Sequence, residues 1–143
     1  MTEPEGLRYL VTEVAGQRIA WELSAVREIV PTRAVTRLPG APVWVLGLLN
    51  LRGMVLTVMD LATRLGLPAG AGESVVVLEV EGRSLGVRVD VVRSVADAAD
   101  AAVEPVDAAR GAEGLVSGMV RLKEGPAALM DAAALFKSVL ATV

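Results

Sequence analysis

The chain has 143 residues, 17 acidic and 14 basic side chains for a net charge of −3, and neither histidine nor cysteine. That length suits one domain with a buried core, while the missing imidazoles and thiols exclude the usual nucleophile and base pairs, disulfides and the commonest metal ligands. No run of Lys or Arg could follow a phosphate backbone, and only 3% of residues are aromatic, so nucleic acid is not an expected ligand.

The opening, Met1-Thr2-Glu3-Pro4-Glu5, is acidic and has none of the basic and apolar segments of a signal peptide. Leu7 to Val14 reads as a strand, Ala15-Gly16-Gln17 as a turn and Arg18 to Glu22 as the return strand. Ser24 suits the N-cap of a short helical turn through Glu28, which Pro31 ends. Thr32 to Pro42, with Pro39-Gly40-Ala41-Pro42, reads as loop, since prolines at that density do not sit inside a sheet. Val45 to Leu51 and Met54 to Met59 form a second hairpin about Arg52-Gly53. The uncharged stretch from Leu38 to Leu51 is too short, and too broken by Pro39, Gly40 and Pro42, to cross a bilayer, so a cytoplasmic protein without direct membrane insertion is expected.

Asp60 is placed to cap a helix over Leu61 to Leu65, and Gly66 to stop it. Residues 67–73, with Pro68, Gly70 and Gly72, read as a connector. Beyond it, Ser74 to Val80, a turn at Glu81-Gly82-Arg83 and one long strand from Ser84 to Val95 are predicted, then loop or short helix over Ala96 to Ala112. A last hairpin joins Gly114 to Leu122 and Ala127 to Met130 through Lys123-Glu124-Gly125-Pro126, and Asp131 caps a terminal helix to Leu140.

This order of elements states one plan twice. Glu13 to Ile19 resembles Glu79 to Leu85, and Val26-Arg27-Glu28-Ile29 resembles Val92-Arg93-Ser94-Val95, both at an offset of 66. Val45-Leu46-Gly47 leads to Asp60 as Val116-Ser117-Gly118 leads to Asp131, each with 13 residues from Gly to Asp. Two copies at so long a period predict a pseudo-symmetric pair and not a solenoid. We expect a single domain over 1–143, with approximate halves 7–66 and 74–140 joined by 67–73, each half too small to be stable alone. Short strands joined by Gly-centred turns argue for small barrels, two of five strands each. A mean hydropathy of +0.53 also predicts exposed apolar surface of the kind that marks partner sites.

Asp60 and Asp131 are the tempting carboxylates, but an Asp before an apolar helical stretch is an N-cap, and no nucleophile, metal set, cofactor motif or phosphate loop accompanies them. A non-enzyme is expected. Glu28 and Arg52 stand at the edges of apolar runs, and spacing alone reads them as solvated surface charges.

The run Pro39-Gly40-Ala41-Pro42-Val43-Trp44-Val45-Leu46-Gly47-Leu48-Leu49-Asn50-Leu51-Arg52-Gly53, with Asp60-Leu61 after it and Val26-Arg27-Glu28-Ile29-Val30 before it, resembles the CheW family of bacterial chemotaxis coupling proteins across essentially the whole chain. The resemblance implies a mainly β fold of two intertwined five-stranded SH3-like barrels with short helices. It implies a scaffold, at membrane-associated receptor arrays, joining the cytoplasmic tip of a methyl-accepting chemoreceptor to the regulatory domain of a CheA-type histidine kinase. The positions matching the family's receptor groove are Leu23, Val26, Glu28, Ile29, Leu46, Arg52 and Val55, with aliphatic burial and orienting charges as in helix-in-groove recognition. Glu28 and Arg52 could also pair with each other.

Leu46 stands where better-known members carry a basic residue. The matching kinase-facing loop keeps Pro105, but Glu104 and Asp107 make it acidic, and it lacks the basic and bulky aromatic residues of some members. A paralogue of an accessory motility system that binds receptor but couples weakly or not at all to the kinase is therefore the second reading. An SH3-type polyproline binder would need an aromatic-lined groove, and Tyr9, Trp21, Trp44 and Phe136 are scattered.

Overall fold

The computed structural model describes residues 7–68, 70, 72–98, 103–105 and 114–142. Strands β1 (Leu7–Val14) and β2 (Gln17–Glu22) form the first hairpin, and a 3-10 turn over Leu23–Ala25 leads to β3 (Val26–Pro31). A second 3-10 turn, Thr32–Ala34, precedes β4 (Val35–Arg37), followed by β5 (Val45–Leu51), β6 (Met54–Asp60) and the short helix α1 (Leu61–Arg64). The second half supplies β7 (Ser74–Val80), β8 (Arg83–Val89), β9 (Val91–Ala98), β10 (Val103–Pro105), β11 (Val116–Leu122), β12 (Gly125–Met130) and α2 (Ala132–Thr142). Ala15-Gly16, Arg52-Gly53 and Glu81-Gly82 are two-residue turns with both φ angles positive, the shape that matches the twist of a hairpin.

Two six-stranded sheets result, in the orders β10-β11-β12-β2-β1-β9 and β3-β7-β8-β6-β5-β4. The orders coincide once the halves are superposed: β9, β1, β2, β12, β11 and β10 stand for β3, β7, β8, β6, β5 and β4. Each sheet therefore takes its first hairpin from the other half. The β1–β2 hairpin pairs antiparallel with β9 and, through β2, parallel with β12, while β7–β8 pairs with β3 and β6 in the same way. Both sheets use six strands where five were expected, because the short edge strands β4 and β10 extend them.

Period-two side-chain alternation explains the long apolar runs, since both faces of the central strands are covered. Val75 and Val77 point into a cluster inside the second sheet with Leu49, Leu56 and Val58. Val76 and Leu78, from the same strand, point into the core shared by both sheets, with Leu10, Trp21, Val87 and Phe136. Tyr9, Ala20, Val120, Ala127 and Leu129 fill the first sheet.

Several local expectations need correction. Ser24 caps no helix through Glu28: the cap position is Glu22, and Val26–Pro31 is a strand because Val26, Glu28, Ile29, Val30 and Pro31 all pair with β7. Val35–Arg37 interrupts the expected loop as β4, pairing with β5 so closely that a Cβ on Gly47 would lie 2.1 Å from the Thr36 carbonyl oxygen. Ser84 to Val95 is two strands in different sheets, broken at Asp90, whose N–H donates to Glu13 and whose carboxylate accepts from the Ala15 N–H at 2.8 Å. Within Ala96 to Ala112, Ala96–Ala98 ends β9 and Val103–Pro105 forms β10; the remainder lies outside the described residues.

Asp60 occupies the N-cap position of α1 without bonding the helix backbone. Its buried carboxylate accepts instead from the Thr63 hydroxyl at 2.6 Å and from Arg88 Nε at 3.3 Å. Arg88 lies directly opposite Asp60 on β8, whereas the matching place beside Asp131 holds Glu22. With no guanidinium there, Asp131 caps as expected, accepting from the Ala134 N–H at 3.1 Å. Gly66, at φ 74°, ends α1 in a Schellman motif, with the Gly66 N–H donating to Thr63 and the Leu67 N–H to Ala62.

Candidate partner-binding surface

The β5–β6 turn lifts Arg52 out of the second sheet, and strand β3 presents Glu28 toward it. A bulge fixes that presentation. Val26 lies opposite Leu78 but Glu28 lies opposite Val77, so Arg27 is the extra residue. Arg52 Nη1 donates to Glu28 Oε2 at 2.6 Å and Nη2 to Oε1 at 3.2 Å, a two-pronged pair on an exposed corner.

The hydrogen bonds from Arg52 hold Glu28 below the ordinary glutamate range, with lesser help from the nearby charges of Arg52 and Arg27. Glu28 in turn raises Arg52. Because the folded-state value of Glu28 is depressed, the pairing is fully present above the ordinary value and is lost as pH falls through the lowered one.

Ile29, next in chain to Glu28, and Met54 and Val55, just past Arg52, are exposed large apolar residues, Val55 at 61%. Leu23 and Val26 are half-buried against the core between the sheets. The structure thus sets Glu28 and Arg52 in contact, gives Ile29 and Val55 free apolar surface and leaves Leu23 and Val26 bordering the shared core. Leu46 behaves differently, packing against the cluster inside the second sheet.

The internal duplication separates what the fold requires from what it does not. Arg27 is the bulged residue of β3 and reaches Glu79 at 3.9 Å; Arg93, 66 positions on, is the bulged residue of β9 and reaches Glu13 at 2.6 Å. That ion pair recurs, so it belongs to the architecture. Glu28 and Arg52 are replaced in the second copy by Ser94 and Lys123, and the pair is absent there. The fold closes its first sheet without it.

At the other candidate surface, Glu104 and Pro105 lie on the edge strand β10, with Pro105 opposite Gly118. Arg121 donates to the Glu104 carboxylate, so that charge is balanced within the chain. Both line a shallow cleft with Met119, Leu122, Gly125 and Pro126. Asp107 lies outside the described residues. Sequence reasoning missed Arg121, since only the strand register brings it to Glu104, and missed Asn50, whose Oδ1 accepts from the Gly53 N–H at 3.0 Å. An Asn three residues before a turn glycine was the available signal for the second.

A family model for the CheW-like domain matches residues 8–140. The chain belongs to the CheW-like domain family. It is 34% identical to the chemotaxis protein CheW of Rhizobium meliloti over 103 residues, covering 70% of this chain and 66% of that protein. It is also 34% identical to the probable chemotaxis protein CheW of Rhizobium etli over 105 residues, covering 71% and 68%. The matched stretches thus span about two thirds of both rhizobial proteins. The solved structure of the scaffolding protein TtCheW from Thermoanaerobacter tengcongensis superposes with a TM-score of 0.81 over 88% of this chain and 89% of that one, at 22% identity. That likeness is one of fold, and it is the mainly β fold of paired, intertwined sheets that the resemblance implied. Membership of the CheW-like family sets the chain among chemotaxis adaptors and not among enzymes. No helix among the described residues is long and apolar enough to cross a membrane.

Proposed function

We propose that this chain is the coupling adaptor of a chemosensory array, binding the helical cytoplasmic tip of a methyl-accepting receptor and linking it to a CheA-type histidine kinase. The Glu28–Arg52 pair carries the reading: an exposed, two-pronged ion pair beside free apolar surface, present in one copy of the duplicated plan and absent from the other. Ile29, Val55, Leu23 and Val26 supply apolar area for a helix, and the charges fix its direction. The chain then reaches the membrane-associated array through its receptor and not by its own insertion.

Exposed ion pairs contribute little to folding. Arg52→Glu is therefore expected to leave the melting temperature nearly unchanged and to weaken co-sedimentation with a receptor signalling fragment. A much earlier melt, or undiminished binding, would return Arg52 to ordinary surface charge.

Weak kinase coupling, as in an accessory paralogue, is favoured by one observation. The described part of the kinase-facing segment is Val103-Glu104-Pro105, a strand without an aromatic or basic anchor, whose one charge is already paired with Arg121. Losing an anchor side chain from an interface costs roughly thirtyfold in affinity or more. Calorimetric titration with the isolated regulatory domain of the kinase from the same organism should give binding weaker than micromolar. Submicromolar binding that falls in Glu104→Lys would overturn this reading.

A further inference from the structure

The β5–β6 turn holds Arg52 at φ 51°, a conformation that residues with a Cβ seldom adopt. Such a backbone persists where its surroundings fix it. Leu51, on one side, packs against the cluster inside the second sheet. On the other, the Asn50 side chain accepts from the Gly53 N–H and closes a ring over Leu51 and Arg52. From this clamped turn the Arg52 guanidinium meets both oxygens of Glu28.

The three other hairpin turns serve as internal comparisons. Ala15-Gly16 takes the same shape and is also held by a side chain, the Asp90 carboxylate on the Ala15 N–H. Glu81-Gly82 takes that shape without such a clamp among the described residues, so the shape alone does not require one. The fourth is the direct duplicate, where Arg121 replaces Asn50. Its strands meet in the same register, Leu122 opposite Gly125 as Leu51 opposite Met54. There Lys123 has no positive φ and no ion pair among the described residues. Joining the strands does not need the amide; aiming the cation at its carboxylate coincides with it.

We propose that Asn50 is a positioning residue, whose clamp on Gly53 presents Arg52 to Glu28 and through that pair to the receptor. The second step rests on the function proposed above; the first concerns the free protein alone, and the two can fail separately. Two readouts are needed, the acid titration of the Glu28 carboxylate by NMR without a partner and the affinity for a receptor signalling fragment.

Asn50→Ala is expected to move the Glu28 midpoint up toward the ordinary glutamate range and to weaken binding by roughly fivefold, the scale of one lost hydrogen bond. Asn50→Ser keeps a short uncharged acceptor and should restore part of both. A Glu28 midpoint unchanged in Asn50→Ala would overturn the positioning role, whatever happened to binding. A raised midpoint with unchanged affinity would uphold the clamp and overturn the assignment of the pair to the receptor interface.

Discussion

Expressed separately, residues 1–70 and 74–143 should each lack a cooperative melt, and mixing them should restore one. We propose that the chain folds as a single domain, because neither fragment holds a complete sheet. The first retains β3, β4, β5 and β6 but has lost β7 and β8, which lie between β3 and β6. Its own β1–β2 hairpin has lost β9 and β12, and an isolated two-stranded hairpin is marginal in water. The second fragment has the mirror-image deficit. Well-dispersed spectra and sharp melts from both fragments would sink the proposal.

Trp21→Ala is the point substitution expected to cost most. The indole is 1% exposed, in the core shared by the two sheets, and its N–H donates at 3.1 Å to the hydroxyl of Thr12, which donates in turn to the Ile19 carbonyl. Removing so large a side chain loses its burial and leaves a cavity, about 3–5 kcal/mol together. For a chain of this size that is a fall in melting temperature of roughly 10 °C or more. In urea the midpoint should drop with an unchanged slope, which marks lost stability and not a changed unfolded state. A loss below about 1 kcal/mol would show that the shared core does not carry the fold as described.

What the sequence made legible was local. The first three hairpins were readable because each turn carries its own chemistry, a glycine at the second of two positive-φ positions at Gly16, Gly53 and Gly82. Asp131 was readable as a cap for the same reason, with its acceptor three residues from Ala134. Errors arose where a distant strand outweighed a local signal. Ser24 offered a helix start, but the ladder between Val26–Pro31 and β7 decided the outcome. The valines of Ser84 to Val95 kept one period through Asp90 because β8 and β9 are both strands; alternation does not say which sheet a strand joins.

The candidate site was legible unevenly. Glu28 and Arg52 came from resemblance and not from periodicity, and their contact depends on a bulge at Arg27 that no pattern marked. Leu46, grouped with them by motif, is the extra residue where the register shifts between Val45 and Gly47, and it is partly buried against the cluster inside the second sheet. Arg88, which diverts Asp60 from capping, lies 28 residues away from it in sequence.

The exchange of hairpins also governs the order in which the chain can be built during synthesis. The β1–β2 ribbon leaves the ribosome first, yet its antiparallel neighbour is Val91–Ala98 and its parallel neighbour is Gly125–Met130, among the last strands to emerge. At roughly 5–20 residues per second, several seconds pass before that ribbon has a partner on either side. During that interval the second sheet can already assemble from β3 to β8, so the molecule is expected to fold from its middle outward, with the β1–β2 ribbon the longest to wait.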